Sequence, residues 1–263
     1  MSRYPYLLFD ADNTLFDFEA ANHNAFAQVC KYCDLEYSEE LYEFYESINR
    51  PLWHQLDAGL VTKEFLVVER FRRFLAQKGI DRDPAECNRI QLSGLGSSTA
   101  LLPHALEVVQ ELSKTHQLYI VTNAVASVQR SRLAASELAP YITDAFISED
   151  AGASKPNKAY FDYVFARIDG ITADNCIVIG DGLASDIQGA NNAGLPCCWY
   201  NPHGEARPDA LRIDYEIRDL RELFKPFPCG IQGRHHGLIY HLKGTLIHEL
   251  TLRRLHRRAL KAL

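Results

Sequence analysis

Apolar and polar positions follow two regimes along this chain. Residues 5–11 (PYLLFDA) form a short apolar run that ends at Asp10, the pattern of a buried strand. Similar runs recur at 117–123 (QLYIVTN), 144–149 (DAFISE), 176–181 (CIVIGD) and 196–201 (PCCWYN). Between them, 103–114, 126–138, 157–168 and 184–193 carry helical periodicity. Strand and helix alternate, which predicts an α/β fold built on a doubly wound parallel sheet. Ligands bind such sheets at the carboxyl ends of the strands, and here those ends carry Asp10, Thr122 and Asp181.

From 17 to 98 the alternation stops. This stretch shows only helical patterns, at 19–33, 38–48, 62–78 and 84–93, so it reads as a second, helical domain inserted after the first strand. Pro51 breaks the helical pattern of its region. Residues 92–98 (LSGLGSS) read as the linker back to the core. The expected organisation is a core of 1–16 and 99–228, a helical domain of 17–98 and an extension of 229–263.

That extension differs in composition. Net charge is −6, but 229–263 hold seven Lys/Arg and one acid, so the body carries −12 and the extension +6. An acidic body argues against a nucleic-acid polymer as partner. The segment 245–263 reads as a basic amphipathic helix, fit for an anionic membrane surface or an acidic partner. The competing readings are a frayed appendage and a non-native extension from altered translation. Apolar residues make up 47% and charged residues 24%, a globular balance. No apolar run approaches the ~18 residues of a membrane span, and 1–14 lack a secretory pattern, so the expected setting is cytoplasmic. Seven scattered cysteines fit reduced thiols there. Cys30 and Cys33 have no second pair to form a zinc site and read as small apolar side chains on one helix face.

Chemistry concentrates at the strand ends. Asp10-Ala11-Asp12-Asn13-Thr14 puts two carboxylates two residues apart, on one side of a continuing strand. They repel unless positive charge is near, and Mg²⁺ supplies it with hard oxygen ligands and a substrate phosphate. Alone, the motif reads equally as a helix cap. Thr122-Asn123 closes the second strand, where a hydroxyl can donate to a phosphate oxygen. Lys155 precedes Pro156, expected in the first turn of the next helix, which aims the lysine at the same sheet edge. Gly180-Asp181-Gly182 ends a fourth strand, and Asp186 follows.

Taken in this order, these motifs resemble those of the haloacid dehalogenase superfamily, and the resemblance spans about residues 1–225. It is closer to the bacterial pyrimidine nucleoside 5′-monophosphate phosphatases within it. FDADNTLFDFE (9–19), INRPLW (48–53), ISEDAGASKPNKAYFDY (147–163) and IGDGLASDIQGANNAGLPCCWYN (179–201) carry that closer match. The resemblance implies a Rossmann-like core with an inserted helical cap. It implies Asp10 as nucleophile forming an aspartyl-phosphate and Asp12 as acid and base. Mg²⁺, with Mn²⁺ or Co²⁺ as substitutes, is then held by Asp10, Asp181 and the main-chain carbonyl of Asp12. Thr122, Asn123 and Lys155 hold the phosphate, and Asp186 orients Lys155 or a water. Asp12 favours ester over halide chemistry, because a halide leaves without an acid. Ala124 and Gly182 depart from the residues common in relatives, and the basic extension has no counterpart there.

The cap is expected to set specificity. Phe16 enters the hinge, while Asn49, Arg50 and Trp53 offer an amide, a guanidinium and a ring that could read and stack on a base. Packing is the competing reading for Trp53 and Phe16. The resemblance points to a small-molecule phosphate monoester, a pyrimidine nucleotide such as dUMP, UMP or dTMP. Sugar phosphates or phosphoglycolate are the alternative, a phosphomutase a further one. A different class is an idle binding protein recruited through its basic extension.

Overall fold

The computed structural model describes residues 3–57 and 60–225. The basic extension 229–263 lies outside the described residues, and no described helix is long and apolar enough to cross a membrane. In chain order the elements are β1 (Tyr6–Phe9), α1 (Phe18–Tyr32), α2 (Glu39–Asp57), α3 (Lys63–Lys78), α4 (Pro84–Ser97), α5 (Ala105–Leu112) and β2 (Gln117–Thr122). Then come α6 (Ala126–Ala135), β3 (Asp144–Ile147), α7 (Ser148–Ala151), α8 (Lys158–Phe165), β4 (Cys176–Gly180), α9 (Gln188–Ala193), β5 (Cys197–Tyr200) and β6 (Tyr215–Ile217).

Six parallel strands form one sheet in the order β3-β2-β1-β4-β5-β6. The order turns about β1, which pairs Phe9 with Ile120 of β2 and with Ile179 of β4. That makes the end of β1 the switch point where a crevice opens. Both faces of the sheet are buried, which is why its strands are unbroken apolar runs. Leu7, Phe9, Ile120 and Ile179 pack under α5, while Leu8, Val121 and Val178 pack under α8 and α9. The strand β6 was not expected from the sequence. It is three residues long, begins after Asp214 and carries Glu216, the short charged form an edge strand takes.

Helices α1–α4 bury their own aromatic cluster. Phe26 stacks on Tyr45 at 4.4 Å and Tyr45 on Phe71 at 5.3 Å, between ring centroids. Two expectations fail in this insert. Pro51 does not interrupt α2, which runs on to Asp57. Tyr45, Ile48 and Leu52 keep one buried face across the proline, and Trp53 Nε1 donates to Asn49 Oδ1 at 3.0 Å across the same turn. This packing outweighs the ~3 kcal/mol cost of an interior proline. Residues 92–98 are not a linker, because α4 continues to Ser97. Gly94 serves contact rather than freedom: a Cβ there would stand 2.8 Å from Ala25 Cβ and 2.9 Å from Ala25 Cα. α1 and α4 therefore approach at backbone distance.

The two connections between sheet and insert lie side by side. Phe16 bridges to Leu101, Asp17 N donates to Ala100 O at 3.0 Å, and Leu102 N donates to Leu15 O at 2.9 Å. Asp17 then caps α1 by accepting from Ala20 N at 2.9 Å.

Gly94→Ala is expected to lower stability by about 1–3 kcal/mol, because neither backbone can yield. Denaturant unfolding checks this: the midpoint falls with the slope retained, and an unchanged midpoint refutes the close-contact account.

Candidate active site

The chain leaves β1 at Phe9 and turns at once, with Asn13 in the left-handed region at φ 59°. Asn tolerates that conformation better than most residues. The turn separates the two carboxylates expected on one side. Asp10 faces Lys155, and Asp12 pairs with Arg132 instead. The reason is that the strand, and with it the two-residue repeat, has already ended.

Lys155 is buried, and its ammonium reaches three acceptors. They are Asp10 Oδ1 at 2.7 Å, Asp186 Oδ1 at 2.6 Å and Val121 O at 2.7 Å. Its loop is held by Asn123, whose Nδ2 donates to Lys155 O at 2.8 Å while Lys155 N donates to Asn123 Oδ1 at 2.9 Å. The Asn123 amide therefore clamps the loop that carries Lys155. Pro156 is not in a helical turn either. The Lys155–Pro156 bond is cis, and α8 starts at Lys158 under an Asn157 cap.

Asp186 sits on a turn of π-helix (Leu183–Ile187) and folds back over the end of β4. Its Oδ2 accepts from Gly182 N at 3.0 Å. A Cβ on Gly180 would meet Asp186 Cγ at 2.4 Å, so only glycine admits this carboxylate. Ser185 Oγ fills the space beside Gly182, at 2.2 Å from where a Cβ would be, so glycine suits this departure from the common pattern. Thr14, fully buried, donates to Asp181 Oδ1 at 3.0 Å and receives Asp181 N at 3.1 Å. Thr122 is buried at the end of β2.

Asp10, Asp181 and Asp186 bring carboxylate oxygens within 4.8 Å of one another. One ammonium faces three carboxylates, so negative charge is in excess. Burial first, then the Asp186 carboxylate, holds Asp10 well above the usual carboxylate range, against the pull of Lys155. The same two causes raise Asp181 to about 6. Burial alone would lower Lys155, but Asp10 and Asp186 outweigh it and hold it above the ordinary lysine value. An excess of hard oxygen donors fits a divalent cation such as Mg²⁺.

A cavity of about 420 Å³ opens between this edge and the insert. Asp12, Asn123, Gln129 and Arg132 line it from the sheet side, and Trp53 and Arg70 from the insert. Its size is that of small-molecule sites. Asn49 lines it too, but its amide is already engaged, donating to Glu46 at 2.9 Å and accepting from Trp53 and Arg70. Arg50 is held by Glu46 at 3.1 Å. Phe16, expected at the substrate, is fully buried beneath the Arg132 guanidinium and does not line the cavity, whereas Phe18 does.

Three residues escaped the sequence reading. Arg132 is one charged residue in a short amphipathic helix, and its signal is the helical spacing with Ala126 and Gln129, also buried. Lys63 reaches from α3 to Ala124 O at 3.0 Å and to Glu149 at 3.5 Å. Glu149 in turn accepts from Ala126 N at 2.8 Å, at the start of α6. Nothing in sequence spacing marks that bridge, which joins three distant segments.

A family model described as a haloacid dehalogenase-like hydrolase matches residues 4–194. YfnB of Bacillus subtilis (strain 168), named as a HAD-hydrolase, is 37% identical over 224 residues, covering 85% of this chain and 95% of the relative. Its solved structure, described as bound to magnesium and as revealing interdomain movement, has a TM-score of 0.80 over 84% of this chain and 97% of its own. Pyrimidine 5′-nucleotidase PynA of Streptococcus pneumoniae is 33% identical, covering 84% of this chain and 93% of the relative. Pyrimidine 5′-nucleotidase YjjG of Escherichia coli is 28% identical, covering 84% and 96%.

The raised Asp181 sets a pH dependence. Its folded value of about 6 exceeds its reference of 3.8, so the folded state binds the proton more tightly. This group therefore favours folding below pH 3.8, and that contribution is lost as pH rises to about 6. Without divalent cation, Asp181→Asn is expected to flatten the slope of stability across that window relative to the unaltered chain. Denaturant melts across the range check this, and parallel slopes refute it.

Proposed function

Since this chain belongs to the haloacid dehalogenase-like hydrolases, we propose that it is a Mg²⁺-dependent phosphomonoesterase of nucleoside 5′-monophosphates, pyrimidine ones above all. The observation that carries this reading is the excess of carboxylate around Lys155 at the end of β1, with Asp12 of the same loop in the wall of the cavity beside it. The names of PynA and YjjG support the substrate class. In this reading 17–98 form a cap domain over a core of 1–16 and 99–228, and cap closure excludes water from the first step.

The chemistry divides between the two aspartates. Lys155 fixes Asp10 by Oδ1, and Asp10 attacks phosphorus with its other oxygen. The phosphorus–oxygen ester bond breaks as Asp12 gives its proton to the leaving oxygen. Asp12 then takes a proton from the water that hydrolyses the aspartyl-phosphate, which frees phosphate and restores both carboxyl groups. Lys155 and the Thr122 end of β2 face the charge on the phosphoryl oxygens. Asp186 keeps Lys155 in place through the 2.6 Å contact. Mg²⁺, held by Asp10, Asp181 and the Asp12 main-chain carbonyl, would offset the repulsion between nucleophile and phosphate. Mn²⁺ or Co²⁺ would serve in its stead.

Phosphate release at neutral pH, from a panel of nucleoside monophosphates, sugar phosphates and phosphoglycolate, tests this. Expected is activity strongest on dUMP, UMP and dTMP, lost with chelator and in Asp10→Asn, and reduced about 10²–10⁴-fold in Asp12→Asn. Turnover of sugar phosphates or phosphoglycolate alone would keep the chemistry and replace the substrate. Inactivity on every ester would refute the enzyme reading.

A further inference from the structure

Arg132 is held by more partners than a surface arginine needs, drawn from both connections between sheet and insert and from its own helix. Its side chain is 1% exposed. Nη1 donates to Asp12 Oδ1 and lies 3.4 Å from Gln129 Oε1. Nε donates to Ser98 O at 3.2 Å, and the guanidinium lies over the Phe16 ring, 4.7 Å from its centroid. Phe16 is on the connection leaving the sheet, and Ser98 is on the one returning from the insert.

A buried guanidinium needs a carboxylate, since a lone charge there is costly. Asp12 is the carboxylate it contacts. The planar fork has its orientation fixed at two edges and one face, by Ser98, Asp12 and Phe16. Asp12 itself is tethered less: its side chain is 24% exposed in the cavity wall, three residues beyond the end of the strand. The remaining Nη2 is buried without a partner among the described residues, so the fork is held in place for Asp12 and the connections despite that cost.

We propose that Arg132 is the positioning residue for Asp12, fixing its carboxyl at the leaving oxygen and referring it to the two connections about which the insert would move. This rests on the proposed phosphatase reading. In the first step the bond from Asp10 oxygen to phosphorus forms, the ester bond breaks, and a proton on Asp12 Oδ2, the oxygen that does not accept from Arg132, passes to the leaving oxygen. Only the last event depends on where Asp12 stands. An alkoxide leaving group needs that proton, whereas a p-nitrophenolate leaves without it.

The test compares first-turnover release of nucleoside from dUMP and of p-nitrophenol from p-nitrophenyl phosphate, in the Mg²⁺-loaded full chain. Arg132→Met is expected to slow the nucleoside by about 10²-fold and the phenol by only a few fold. Asp12→Asn is expected to show the same asymmetry, and the double variant to lose little more than Asp12→Asn alone. Arg132→Lys keeps a cation but cannot hold Ser98 and Asp12 together, so it is expected to show the asymmetry at smaller size. This variant carries the test should the methionine variant fail to fold. Equal slowing of both esters, or additive losses in the double variant, overturns the proposal and leaves Arg132 a packing residue. Inactivity of the unaltered chain on both esters overturns the phosphatase reading and this inference with it.

Discussion

A single buried ammonium holds this site together. Lys155 Nζ has its acceptors within 2.6–2.7 Å, two of them carboxylates that would repel each other without it. Much of the surrounding design keeps that ammonium and its partners in place. Asn123 clamps its loop from both sides. Glycine at 180 makes room for Asp186. Thr14 and Trp199 tie down Asp181, the latter by donating Nε1 to its carbonyl at 3.0 Å. Even so, one positive charge does not balance three carboxylates, and the imbalance is what suits the cluster to a divalent cation.

The second organising feature is the junction with the helical insert. Two connections run beside each other, bridged by backbone hydrogen bonds, and α6 lies against them. Arg132 and Val128 of α6 meet the insert at this point, and Lys63 meets the loop before it. Asp12 and the junction thus share contacts, while Asp10 belongs to the sheet. The two aspartates of one short motif answer to different parts of the fold.

Much of this was legible in the sequence. Five of the six strands follow from short apolar runs, because a sheet covered on both faces confines polar residues to the strand ends. Strand ends were legible too, and with them the places of Asp10, Thr122 and Asp181, while Lys155 stood out ahead of the helix that became α8. What was not legible depends on packing at a distance. Pro51 and Gly94 read as breakers in isolation, yet α2 and α4 continue through them because aromatic packing and a close helix approach decide the outcome. Phe16 read as a candidate substrate contact, and only the position of Arg132 shows it covered. Arg132 carried a weak signal, and the Lys63–Glu149 bridge none, since spacing along the chain does not report contacts between segments 86 residues apart in number.

The long range of the site contacts has a consequence for how the chain acquires its structure. Lys155 meets Asp10 across 145 positions, and Thr14 meets Asp181 across 167. Contacts of such separation come at the end of loop closure rather than its start, since large loops must be ordered before they are rewarded. A ribosome would have to deliver most of the chain before the first aspartates met their partners. Until then they stand in water as ordinary carboxylates, and no fragment shorter than the span from β1 to β4 can hold the charge cluster.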